Sequence, residues 1–424
     1  MRTATLIVGL LGAGLVLGAC PGPASPLQAE VLDYDSASGE WRLATSPLDT
    51  VLNLNDLSGK NFDLVGDQLI NSNMIPYQGS STPASMKDIQ DKFFDRRGQP
   101  VAPSYDWYDD GHGGQVAVAN DFESLAMMTV FHHFEKVWKF AHEVSGDDSE
   151  ATGEKTLIGF YATVGSNIGG VSIPQITSDN AAFVPMTDSF VILRNQLLDG
   201  VPLALNSAVI AHEFSHRMFF HNVYAGAAFD NWYQENIAAS STTADKLRSG
   251  ILLKALDEGS ADTHALSFLG RTDFISDSLQ GSLGADTSYQ RDVEGKFADE
   301  ATYEGLQWND YTSEDTGNSL CNGASDDFSK TDWNFYCLGT VWLRSLWDAS
   351  GRDVEVMRQE IEPALVRSMK RLGDEYLSSF WGFDFDIILE LMAEEVPEGR
   401  RSALCDSFDN KFANLMSSGV PACH

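Results

Sequence analysis

Positive charge is what this sequence has least of. Lys and Arg total 28 against 61 Asp and Glu, which leaves a formal net charge of −33 over 424 residues. A surface that negative repels polyanions, so a nucleic-acid partner is excluded, and solubility beside a membrane is favoured. Cysteine is scarce as well. The chain has five, with no C-x-x-C pair, which argues against zinc held by thiolates. Beyond residue 20 no apolar run approaches the roughly 20 residues that a membrane-spanning helix needs. No segment repeats at a fixed spacing. Histidine is also sparse, with nine residues, so the placing of each one carries information.

Two of the nine stand four apart in His212-Glu213-Phe214-Ser215-His216. On a helix that spacing stacks both imidazoles on one face, where they can share a metal ion. Glu213 lies about 100° round from His212, close enough to serve as a base beside the ion without binding it. The preceding 205–211 stretch has apolar residues at helical spacing and no Gly or Pro, with Asn206 or Ser207 as N-cap. Met218, Phe219 and Phe220 keep the segment buried. Polar nitrogens in such a setting need partners, and a cation supplies one.

A catalytic zinc takes three protein ligands and keeps one position open. One class of zinc peptidases has a His six residues past the second His, after a Gly; Phe219 and Asn222 occupy those places here, so that arrangement is excluded. A second class takes a Glu from a separate helix. Leu256-Asp257-Glu258-Gly259-Ser260-Ala261-Asp262 supplies it, with Glu258 as ligand. Asp262, one turn further along the same face, can accept the free N–H of one ligating His, and Asp257 that of the other. Leu252, Leu253, Leu256, Ala261, Ala265 and Leu266 make this a buried helix rather than a solvated acidic one.

With His212, Glu213, His216, Glu258 and Asp262 in place, the chain resembles the gluzincin metallopeptidases, the thermolysin-like and fungalysin-like enzymes. The resemblance covers roughly residues 116–350. It implies an α+β fold of two lobes with zinc at their junction: an N-terminal β-rich lobe carrying the active-site helix, and a mostly helical C-terminal lobe. It also implies that Asn180-Ala181-Ala182-Phe183 forms the edge strand that binds the substrate backbone, through Asn180 and Ala181. A third likeness, Asp332-x-x-x-Tyr336-x-x-Gly339-x-x-Trp342, matches a stretch in which the family has a His where this chain has Tyr336. Tyr336 is therefore the leading candidate for the catalytic oxyanion donor, with His221 and His264 behind it. The pair His132-His133 and the lone His112, His142 and His424 have no partner at ligand spacing and read as structural or exposed.

The N-terminus reads as an export signal. Met1-Arg2 is followed by an apolar stretch from Leu6 to Leu17, too short to cross a bilayer, and then Leu17-Gly18-Ala19-Cys20. Those four residues resemble the lipobox of bacterial lipoproteins, which implies lipidation at Cys20 and a periplasmic or cell-surface location. Pro21 to Pro26 serve as a tether. The other four cysteines suit an oxidising compartment, and the local pairings Cys321–Cys337 and Cys405–Cys423 are favoured among three possibilities. Calcium is a further candidate cofactor, although Asp33-x-Asp35-x-x-Ser38-Gly39 and Asp106 to Asp110 read as solvated turns.

The expected organisation is a signal peptide over 1–19, a tether and small β-rich region over 20–115, a β-sheet lobe with the HExxH helix over 116–225, and a mainly helical lobe over 226–424 with an insertion near 271–336. Helices are expected over Asp121–His142, up to Gly270, and over Leu338–Trp347, Val354–Leu372, Phe385–Glu394 and Ser402–Met416. Strands are expected at Leu157–Phe160, Val171–Ile176 and Phe190–Leu193. Arg96-Arg97 is a cleavable-looking dibasic pair that raises the question of a zymogen. The functional expectation is a zinc peptidase acting on peptide or protein substrates. The alternative is a catalytically silent surface lipoprotein that keeps the fold for binding or adhesion.

Overall fold

Short apolar runs broken by Asp, Asn and Gly turn the first quarter of the chain into strands. The computed structural model describes residues 27–71, 94–112, 114–168, 171–175, 181–194, 201–224, 244–279, 293–294, 335–375, 383–412 and 420–423. The expected signal peptide and Cys20 lie outside these residues, as does most of the 271–336 segment. In chain order the strands are β1 (Leu27–Asp35), β2 (Glu40–Leu48), β3 (Val51–Asn53), β4 (Ser58–Gly59), β5 (Phe62–Gly66), β6 (Leu69–Asn71) and β7 (Phe94–Arg96). After them come β8 (Gln99–Pro100), β9 (Tyr105–Asp109), β10 (Gln115–Ala119), β11 (Thr156–Ile168), β12 (Val171–Gln175), β13 (Ala181–Val184) and β14 (Ser189–Leu193).

Two sheets result. The first has the order β2-β1-β10-β9, and in it β1 runs parallel to β10, with Gln28 opposite Val116. Asp35 closes the β1–β2 hairpin by accepting from Ala37 N–H and the Ser38 hydroxyl, and Gly39 takes φ +74° there. That acidic stretch is thus a hairpin turn, as its Asp-Ser-Gly chemistry dictates. The second sheet carries the order β13-β14-β11-β5-β4-β3. Strands β5, β11 and β14 are mutually parallel, whereas β13 returns antiparallel to β14. Strand β14 has a paired neighbour on each side and is buried from Ser189 to Ile192, the signature of a strand covered on both faces. Strand pairing crosses residue 115, the boundary expected between the first two regions.

Helix α1 (Phe122–Glu143) begins where expected, with Asp121 capping Ser124 N–H at 2.7 Å. It lays Phe131 and Phe134 under the sheets. Phe134 meets Phe62 of β5 and Phe190 of β14, and Phe190 stacks in turn on Phe214 of helix α2 (Ser207–Val223). A run of aromatic contacts thereby fixes α2 against the sheet. Helix α3 (Ala244–Leu269) packs across α2, and Gly270 ends it with φ +78°.

Helix α4 (Phe335–Ala349) lies on α3 at a very close crossing. A Cβ added to Gly259 would stand 2.7 Å from the Gly339 carbonyl oxygen, and one added to Gly339 would stand 3.3 Å from Glu258 Cβ. The approach requires glycine at 259 and leaves little room for any side chain at 339. Trp342, one turn past Gly339, is fully buried against Phe385 and Phe408. A helical turn at Val354–Val356 and a π-helical stretch at Met357–Ile361 run without a gap into α5 (Glu362–Glu375), so the expected helix over Val354–Leu372 is present with a wider turn inside it. Helices α6 (Phe385–Glu395) and α7 (Glu398–Phe412) complete the packing. Helix α7 starts right after Pro397, four residues before the expected Ser402, because a Pro beside the first turn suits a helix start. Cys405 and Cys423 form the expected disulfide. Cys321 lies outside the described residues, as does the Cys337 side chain.

Candidate metal centre

Helix α2 is started by Asn206, whose side-chain oxygen accepts from Ala208 N–H at 3.0 Å while its amide donates to Ser278 at 2.9 Å. From that fixed start, His212 and His216 emerge on one face, 4.7 Å apart by ring centre. Their Nε2 atoms face each other at 3.1 Å. Helix α3 supplies the rest from the other side. Glu258 Oε2 lies 3.4 Å from His212 Nε2 and 3.8 Å from His216 Nε2. Leu252, Leu253, Leu256, Ala261, Ala265 and Leu266 are all fully buried, which aims the acidic face of α3 inward at α2.

The two remaining imidazole nitrogens are anchored by carboxylates. His212 Nδ1 stands 2.8 Å from Asp262 Oδ1, and His216 Nδ1 stands 2.8 Å from Asp257 Oδ1. A proton on each Nδ1 donates to its carboxylate, which leaves the Nε2 lone pairs facing one another and Glu258. Three acceptors converging in a buried space repel unless a proton or a metal cation sits among them. The electrostatics agree. Burial alone would lower the His216 pKa, yet Asp257 and Glu258 outweigh it and lift it to about 10. Burial likewise raises Asp257. The pocket therefore draws positive charge onto its nitrogens.

A tetrahedral zinc with ligands at about 2.1 Å separates them by about 3.4 Å. The observed 3.1, 3.4 and 3.8 Å bracket that value, and two imidazoles with one carboxylate are the donor set that zinc accepts. The residues present fit the ion.

Glu213 points toward the sheet rather than into the ligand cluster. Its Oε2 accepts from the backbone N–H of Phe183 in β13 at 2.9 Å, and burial raises its pKa. Among the described residues β13 is the last strand in its sheet's order, with Ala181 paired to Ile192. Asn180 lies outside the described residues.

The hairpin that carries this edge is tied to α2 by residues that sequence reasoning missed. Arg217, next to His216, is fully buried and grips Asp188 with Nε at 2.8 Å and Nη2 at 2.9 Å. It also donates to the Ala151 and Glu154 carbonyls, while His221 Nε2 lies 3.0 Å from Asp188. Asp188 adopts φ +43° at the β13–β14 turn. Burial would raise its carboxyl, but the Arg217 and His221 contacts hold it well below the usual carboxylate range. An arginine inside an otherwise apolar helix was the available signal, since a buried guanidinium needs a carboxylate.

Of the expected oxyanion donors, the Tyr336 backbone lies in the first turn of α4, and its side chain is outside the described residues. His221 is engaged with Asp188. His264 Nδ1 meets Glu362 at 2.6 Å in the interior, so it is directed elsewhere, as its position six residues past Glu258 implies.

His132 and His133, which have no partner at ligand spacing along the sequence, are joined in space by a residue far from them in the chain. Both are buried, and Asp33 of β1 brings a carboxylate to them; one donor atom from each of the three residues lies within 4.8 Å of the others. Two such groups occur among the described residues, this one and the His212, His216 and Glu258 set. Comparison with protein-family models and with curated proteins finds no match for this chain.

Proposed function

We propose that this chain is a zinc-dependent peptidase of the two-lobed gluzincin type, exported and anchored through a lipidated Cys20, most consistent with cleavage inside peptide chains. The observation that carries the reading is the convergence of His212, His216 and Glu258 with Asp262 and Asp257 behind the imidazoles and Glu213 beside them. A metal kept for structure alone has no use for that neighbouring base.

His212 Nε2, His216 Nε2 and a Glu258 oxygen would hold the ion. A zinc ion there supplies Lewis acidity, which polarises a carbonyl and makes water reactive near neutral pH. Glu213 accepts the proton of the attacking water and delivers it to the departing amine. Its raised pKa suits a group that must take a proton and give it back. Strand β13 offers its outer edge to an extended substrate, and backbone pairing there fixes the register of the scissile carbonyl. The N–H of Phe183 ties Glu213 to that same strand, so base and substrate share one reference. Tyr336 is the proposed oxyanion donor.

Cleavage of casein and of a quenched peptide library is the test, with wild type, chelated protein and Glu213→Gln side by side. Turnover is expected for wild type, loss on chelation, and a fall of about 10²–10⁴-fold for Glu213→Gln with zinc retained. Zinc-loaded wild type that turns over neither casein nor any library peptide would end the peptidase reading in favour of a silent binding protein.

A further inference from the structure

Three buried ring nitrogens outside the proposed active site make no hydrogen bond: both of His133 and Nε2 of His132. His133 is fully buried, at 0% exposure, and His132 nearly so. Leaving imidazole nitrogens dry and unpaired is costly, and native interiors avoid it unless something else satisfies them. The Leu205 backbone lies beside the His133 ring, but neither nitrogen reaches hydrogen-bond geometry with it.

The surroundings indicate what would satisfy them. His132 Nδ1 lies 3.3 Å from the Pro47 carbonyl, so a proton there is shared with Pro47 and Nε2 is left as a bare lone pair. That lone pair faces Asp33 Oδ2 at 3.7 Å, an acceptor opposite an acceptor and too far for a hydrogen bond. Trp41 of β2 packs edge-on to His133 and covers it. Lys136 answers the Asp33 carboxylate at present, with Nζ at 2.8 Å from both oxygens. Its side chain is 38% exposed and long enough to swing into solvent.

We infer that Asp33, His132 and His133 form a second, separate site for a divalent transition-metal cation, which clamps β1 to α1 and competes there with the Lys136 ammonium. Two imidazoles and one carboxylate select zinc, cobalt or nickel over calcium or magnesium. A modest turn of the Asp33 carboxylate brings the 3.7 Å pair to the spacing of two ligands on one ion. The site does not depend on the peptidase reading.

The test is metal counting on the full chain after chelator stripping, by zinc content and by cobalt(II) titration. Wild type is expected to take two equivalents, and the double variant His212→Ala/His216→Ala to keep one. That remaining equivalent should vanish on adding His133→Gln or Asp33→Asn. Asp33 is partly exposed, so the second variant decides the matter should the first fail to fold. Lys136→Met in the same background should tighten binding about ten-fold, since no ammonium has to be displaced. A folded His212→Ala/His216→Ala protein that retains no metal, or an equivalent that survives both His133→Gln and Asp33→Asn, would overturn the proposal. Wild type with a single equivalent, lost with Asp33→Asn, would remove the His212 centre and leave this one standing.

Discussion

The two histidine clusters differ in how their imidazoles are held. His212 and His216 each have one nitrogen clamped by a private carboxylate at 2.8 Å, so their other nitrogens are aimed before any ion arrives. His132 has the Pro47 carbonyl at 3.3 Å behind it, and the ring nitrogens of His133 make no hydrogen bond. The first cluster also has a neighbouring carboxylate, Glu213, which is the proposed base, whereas the second has an ammonium, Lys136, on its carboxylate. Preorganisation with a base is what chemistry demands, and ligands without either suit a fastener. Both clusters join a helix to another element, yet only one borders an open sheet edge.

The comparison can be strained first at the brace of the active helix. Asp188→Asn leaves the fully buried Arg217 guanidinium without its counter-charge, and a loss of about 3 kcal/mol is expected in urea unfolding at pH 7. The pH dependence has a definite sign. Because the folded-state pKa of Asp188 is depressed, its contribution is complete at neutral pH and disappears as pH falls from about 4 toward the folded value. The wild-type acid limb should therefore be steeper than that of Asp188→Asn; equal slopes would show that the Arg217 contact carries no stability.

A smaller effect is expected at the anchor itself. Asp262→Asn should weaken metal binding at the His212 centre about 10–100-fold, read by competition with a chromophoric chelator. Should the affinity stay unchanged, the contrast between anchored and unanchored imidazoles loses its energetic meaning. The smallest change is expected at the helix crossing. Gly339→Ala presses a methyl to 3.0 Å from Gly259 N and 3.3 Å from Glu258 Cβ, and a cost of about 1–2 kcal/mol follows, with zinc affinity falling because Glu258 is displaced. A thermal melt and a zinc titration check both parts.

What could be read from the residues was whatever depends on short spacing. The i, i+4 pair His212 and His216, the Asn206 cap, the buried side of α3 and the carboxylates at 257, 258 and 262 all lie within one or two helical segments, where periodicity fixes direction. The start of the helix at Asp121 and the Cys405–Cys423 bridge were local in the same sense. Contacts closed by topology stayed invisible. Nothing in the sequence near His132 announces Asp33, because the pair forms only once β1 docks on α1. Arg217 and Asp188 likewise meet only through the β13–β14 turn. The π-helical stretch at Met357–Ile361 does have a local mark, Pro363, which has no N–H to return to the Gln359 carbonyl, but its wider turn is not legible from periodicity.

The threading of the first strands bears on maturation at Arg96-Arg97. Strand β1 is zipped to β10, and β5 is an inner member of its sheet, flanked by β11 along Phe62 to Val65. A cut at the dibasic pair would sever one peptide bond while both ladders went on holding the pieces together. The upstream segment is structural lumber of the mature body, and shedding it would mean dismantling two sheets.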